Sequence, residues 1–163
     1  MERRRTEPQG SMSEAAFLRE LAEAARAERA ATMHYTHAAI LAAASTPAAA
    51  RLFDELARVE LSHYEELGQL LLFLDKSLPP SLQGAWQSVF FAKDPHTGQK
   101  KPQDTSAFLR NAIEIEQSTA KSYRHLAEKT REDTAHKLLL RLAAEETEHA
   151  TALNAMQERM ARS

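Results

Sequence analysis

The feature that most narrows what this chain can fold into is an internal repeat. Sliding residues 138–149 back by 86 positions lays Leu138, Leu142, Ala143, Glu146 and His149 over Leu52, Leu56, Ala57, Glu60 and His63. Sliding residues 109–123 back by 88 positions lays Leu109, Ala112, Glu116 and Tyr123 over Leu21, Ala24, Glu28 and Tyr35. Each half thus carries Glu-x6-Tyr on one segment and Glu-x-x-His on the next. Seven residues is almost two helical turns, so Glu28 shares a face with Tyr35, and Glu116 with Tyr123. At a spacing of three, Glu60 and His63, like Glu146 and His149, aim at adjacent points one turn apart. Leu21, Ala24, Leu56, Leu109, Ala112 and Leu142 lie on these same faces, which turns the four glutamates inward. A buried, unpaired carboxylate is costly, and four that face one another also repel.

Two divalent cations remove the difficulty. Four carboxylates balance two M²⁺ ions, and two neutral imidazoles complete the ligand set. The metal ligands expected from the repeat are Glu28, Glu60, His63, Glu116, Glu146 and His149. Without the ions, the carboxyls should all take up protons more readily than in the unfolded chain. Tyr35 and Tyr123 are expected to place their hydroxyls near ligand carboxylates, because a buried phenol needs a partner. Glu145 and Glu148, off the inward face, read as solvated, and so do the non-repeating histidines His34, His37, His96, His125 and His136. Ala31 and Thr119, one turn after Glu28 and Glu116, add no carboxylate.

The residues that break helices divide the chain. With only four glycines and abundant alanine, leucine, glutamate and arginine, the chain reads as all-α. Helices are expected over 13–44, 47–76, 104–129 and 133–160. Ser45 or Thr46 caps the second helix and Pro47 sits in its first turn. Residues 77–103 hold most of the prolines and glycines and read as a long crossover with one helical turn around Trp86. Short links make antiparallel neighbours and a long one can span a bundle, so the expected architecture is a four-helix bundle of two hairpins joined by a crossover. It should occupy residues 13–163, behind a disordered tail over 1–12.

Composition excludes several functions. A chain with no cysteine has no disulfide, thiolate zinc site or iron–sulfur cluster, so His, Asp and Glu must supply any metal ligands. A net charge of -2 offers no basic footprint for nucleic acid and no polybasic membrane anchor. The basic start of the chain lacks the apolar stretch of a secretory signal, and no run approaches a membrane span. A soluble, cytoplasmic protein is expected.

A Glu from each of two helices plus Glu-x-x-His from each of the other two is the ligand pattern of ferritin-like di-iron and di-manganese carboxylate proteins. On Glu28-x6-Tyr35, Glu60-x-x-His63, Glu116-x6-Tyr123 and Glu146-x-x-His149, the chain resembles the ferritin-like superfamily. Within it, "ERAATMHY" at 28–35 is similar to the helix of rubrerythrin-like domains. The resemblance implies two iron ions reacting with O₂ or hydrogen peroxide, an external electron donor and a homodimer. Manganese or zinc would also suit these ligands. Rubrerythrins usually carry one more glutamate where this chain has Thr119, and a cysteine-ligated electron-delivery module that a chain without cysteine lacks. The same site would also serve a ferroxidase, and a scaffold with a vestigial site is the reading from another class. Trp86, Phe90 and Phe91 in the crossover are expected either to seek cover in a dimer interface or to cap their own bundle.

Overall fold

The computed structural model describes residues 12–92 and 104–162. Residues 1–11 of the tail expected over 1–12, and residues 93–103 of the expected crossover with His96, fall outside them. Five helices follow one another: α1 (Glu14–Ala42), α2 (Pro47–Asp75), the single turn α3 (Gln87–Phe90), α4 (Thr105–Lys129) and α5 (Asp133–Ala161). No strand occurs among the described residues. The helix starts have local causes. Ser13, Asp104 and Glu132 each accept a hydrogen bond from the third residue on, at 3.2, 2.6 and 2.6 Å, satisfying an N–H that has no partner within the helix. Pro47 opens α2 with no N–H to satisfy. Thr46 occupies the cap position of α2, but its hydroxyl turns away from the first turn and contacts Ala42 O and Thr105 Oγ1, both at 3.4 Å.

The four-residue and three-residue links after α1 and α4 fold each pair back as a tight antiparallel hairpin, α1 on α2 and α4 on α5. The halves then pack α1 against α4 and α2 against α5. Their shared interior is not continuous. One apolar cluster gathers Leu21 and Ala25 of α1, Leu67 and Leu71 of α2, Leu126 of α4 and Leu142 of α5. A second gathers Ala38, Phe53, Leu56, Ile113 and Leu153 at the other end. On every long helix the expected ligands fall between the residues given to the two clusters: Glu28 follows Ala25, Glu60 and His63 lie between Ala57 and Leu67, Glu116 follows Ile113, and Glu146 and His149 precede Leu153.

The crossover settles the expectation about its aromatics. Gly84, at φ +74, takes a left-handed turn that suits a residue without a Cβ, and its N–H donates to Asp75 Oδ1 at 2.8 Å. That turn folds Trp86 and Phe90 back onto the first cluster, where Phe90 stacks on Tyr64 at 5.5 Å and sits over Gly68. They close the end of their own bundle, and of the three only Phe91 is left exposed. No helix among the described residues is long and apolar enough to cross a membrane.

Candidate metal centre

Between the two apolar clusters lies a polar layer made of the six residues the repeat singles out. None of Glu28, Glu60, His63, Glu116, Glu146 and His149 is more than 8% exposed. Both histidines present Nδ1 to the carboxylates, from near-parallel rings 5.7 Å apart. His63 Nδ1 lies 2.9 Å from Glu146 Oε1, 3.4 Å from Glu60 Oε2 and 4.0 Å from Glu28 Oε2. His149 Nδ1 lies 3.0 Å from Glu60 Oε1, 3.1 Å from Glu146 Oε2 and 3.9 Å from Glu116 Oε2. The two sets are nearly mirror copies. Glu60 and Glu146 belong to both, each giving one oxygen to either side, while Glu28 and Glu116 each serve one side.

Donor atoms of Glu28, Glu60, His63 and Glu146 lie within 4.8 Å of one another, and so do those of Glu60, Glu116, Glu146 and His149. Each group could hold one ion. Glu60 Oε1 and Oε2, Glu146 Oε1 and His63 Nδ1 are buried and form no hydrogen bond; although His63 Nδ1 and Glu146 Oε1 are 2.9 Å apart, they are out of line for one. Buried polar atoms are ordinarily satisfied, and donors that converge without pairing suit a cation bound by all of them. The donor set of oxygen and imidazole nitrogen suits iron, manganese or zinc.

The tyrosines bind across the repeat. Tyr35 donates its hydroxyl to Glu116 Oε1, and Tyr123 donates to Glu28 Oε1. Each phenol thus holds the outer carboxylate of the opposite half by one oxygen and leaves Oε2 facing the site. Burial pushes both phenols well above their ordinary range, and the neighbouring glutamates push the same way, so they stay protonated donors.

The metal-free electrostatics differ from the uniform upward shift expected of four facing carboxyls. Burial pushes Glu28 well above the usual carboxylate range and Glu116 up to about 8, and the other carboxylates add to it. Burial also acts to raise Glu60 and Glu146, yet both end below the ordinary range. Close contacts with Glu28, His149 and His63 override burial at Glu60, and contacts with His149, His63 and Glu116 do so at Glu146. The imidazoles respond in turn. Burial would lower them, but Glu146 and Glu60 raise His63 to about 10, and Glu116, Glu146 and Glu60 raise His149 to about 12. Without metal, two imidazolium ions therefore face two carboxylates, with Glu28 and Glu116 as neutral acids. The expected upward shift holds for the outer pair and reverses for the shared pair.

Glu148 is exposed as expected, but Glu145 is not simply solvated. It is half-buried and reaches His63 Nε2 at 2.8 Å, while Arg141 Nη1 donates to its other oxygen at 2.8 Å. Burial would raise the Glu145 carboxyl, and Arg141 and His63 hold it below the usual range. The sequence carried one signal of this, the Arg141–Glu145 spacing of one helical turn. Among the other histidines, His34 and His125 are exposed, whereas His37 and His136 are half-buried; His136 Nδ1 lies 2.9 Å from Ala127 O.

Neither the curated proteins nor the solved structures contain a match to this chain. A family sequence model does match, over residues 18–163, which takes in both hairpins, the crossover and all six buried glutamates and histidines; the chain belongs to the ferritin-like domain family.

Proposed function

We propose that the protein is a di-iron carboxylate oxidoreductase of the rubrerythrin-like type, which reduces O₂ or hydrogen peroxide with electrons from an external donor. The observation that carries this reading is the sharing of Glu60 and Glu146, each with one oxygen toward His63 Nδ1 and one toward His149 Nδ1. Carboxylates so placed would suit two neighbouring cations, each held by one histidine and the two shared glutamates. When bound, an iron pair supplies two adjacent one-electron reductants, which matches a two-electron reduction. Hydrogen peroxide takes up two electrons and two protons to give two waters; O₂ takes up the same to give hydrogen peroxide.

The chain's own residues have separate tasks. Glu28 with His63, and Glu116 with His149, bind at the two outer ends of the site, and Glu60 and Glu146 tie the ends together. Tyr123 and Tyr35 orient the outer carboxylates and keep their phenol protons on the oxygens facing Glu28 and Glu116. The apolar clusters on either side exclude water, which keeps the ligand charges unscreened.

A ferroxidase is the second reading, favoured by Thr119, which stands one turn after Glu116 and adds no seventh ligand. Anaerobic loading with Fe²⁺ followed by peroxide separates the readings. The proposal expects one peroxide lost per two irons oxidised and repeated turnover with a chemical reductant. Oxidation of Fe²⁺ in excess of two per chain, with release of ferric product, favours the ferroxidase. A chain that takes up no metal supports the scaffold reading and overturns both.

A further inference from the structure

We propose that the two metal positions are unequal, and that Glu145 is a positioning residue that makes the position served by His63 bind its ion more tightly than the position served by His149. The inference rests on the metal-centre reading above and goes beyond it, because the six ligands alone are symmetric.

The asymmetry lies one step behind the ligands. His63 turns Nδ1 to the carboxylates and Nε2 to Glu145 Oε2, 2.8 Å away. A ring that binds metal through Nδ1 must carry its proton on Nε2, and an acceptor there fixes both the tautomer and the ring plane. Glu145 is itself held: Arg141 grips its Oε1 with Nη1 and reaches Glu66 on α2 with Nη2. Glu66 follows His63 by one turn, so Arg141 and Glu145 clasp α2 from α5 around the imidazole.

The repeat supplies the control. Its 86-residue offset puts Val59 where Glu145 stands, Glu55 where Arg141 stands and Ala152 where Glu66 stands. The clasp is thus absent from the other half, and His149 Nε2 has no hydrogen-bond partner among the described residues. The His149 side chain is also the more open, 10% exposed against 1% for His63. Its ring is less restrained, and water competes for it. Loss of a carboxylate that orients a ligating histidine typically costs about 10–100-fold in metal affinity.

Zn²⁺, which undergoes no redox change, is the probe, and calorimetry the readout. His149→Gln keeps the His63 position and His63→Gln keeps the His149 position. The first is expected to bind its ion about 10–100-fold more tightly than the second. Glu145→Val, which gives this half the residue its repeat carries, should weaken Zn²⁺ by that factor in the His149→Gln background and leave the His63→Gln background unchanged. Glu145→Gln, which keeps an acceptor oxygen, should fall in between. In the chain with both histidines, Glu145→Val should weaken one bound ion only. Equal weakening in both backgrounds, or none in either, overturns the inference while leaving the metal centre standing. A wild-type chain that takes up no Zn²⁺ overturns the metal-centre reading and the inference together.

Discussion

The two apolar clusters and the polar layer between them are built by the same four helices, yet they depend on different things. Leu71 in one cluster and Leu153 in the other are fully buried and stabilise the bundle wherever they are packed, with no partner ion and no dependence on pH. Two to three turns away, Glu60 and Glu146 are just as deeply buried, but their contribution depends on which cations face them. The outer layers make the bundle, and the middle layer makes it conditional. Imidazolium ions satisfy that condition in the metal-free protein, and metal ions would satisfy it differently.

The strongest way to break this comparison is to damage an outer layer. Leu71→Ala and Leu153→Ala should each cost about 2–5 kcal/mol in chemical denaturation, while metal uptake per chain should match that of the wild type. Loss of metal stoichiometry at undiminished stability would show that the layers are not separable in this way.

Metal binding comes next in size. At a free metal concentration a hundredfold above the dissociation constant, the holo protein should gain about 2.7 kcal/mol. The gain should grow with pH, and the sign follows from the shifts. Glu28 and Glu116 are raised, so their stabilising contribution to the apo fold is present below the unfolded carboxyl value and is lost as pH rises through about 8 for Glu116. His63 and His149 are raised too, and lose their contribution as pH climbs toward about 10 and about 12. Glu60 and Glu146 are lowered, and their contribution is lost only on the acid side. Apo stability should therefore fall from pH 5 to pH 8, and the apo–holo gap in melting temperature should widen. A gap constant over that range would refute the charge arrangement described for the metal-free layer.

A smaller effect distinguishes the outer from the shared carboxyls. In the apo protein at neutral pH, Glu28→Gln with Glu116→Gln replaces neutral acids by neutral amides and should leave the melting temperature close to wild type. Glu60→Gln with Glu146→Gln removes the anions that face the two imidazolium ions and should cost about 1–3 kcal/mol. Both pairs should abolish metal uptake. Equal apo melting of the two double variants would erase the distinction. Smallest of all, Tyr35→Phe and Tyr123→Phe each remove one buried hydrogen bond, worth about 1 kcal/mol, and the repeat requires the two losses to be similar. Thermal melts in which one substitution is silent would show that the crossed pairs are not equivalent.

Much of this layer was legible in the sequence because it follows from one helix at a time. The period places Glu28, Glu60, Glu116 and Glu146 among leucines and alanines, and the three-residue spacing adds His63 and His149. What could not be read there depends on which helices are neighbours. The crossing of Tyr35 to Glu116 and Tyr123 to Glu28 requires α1 to lie beside α4, and no periodicity within either states that. Glu145 points about 100° away from Glu146 around its helix, a direction that reads as solvent until His63 of another helix is placed there. The crossover's aromatics were legible as apolar, but their direction was set by the turn at Gly84.

The sharing of Glu60 and Glu146 also bears on the order in which the chain assembles. Each hairpin by itself brings three of the four residues of one group: Glu28, Glu60 and His63 in the first, Glu116, Glu146 and His149 in the second. The fourth is a single glutamate lent by the other hairpin. Hairpins rest on contacts close in sequence, whereas the loan needs the longer crossover to close, so it is expected to form after them. An ion gripped by a borrowed glutamate would act as a clamp between the two halves, which could not part until it let go. Metal should then lengthen the lifetime of the native state by slowing unfolding far more than it speeds folding.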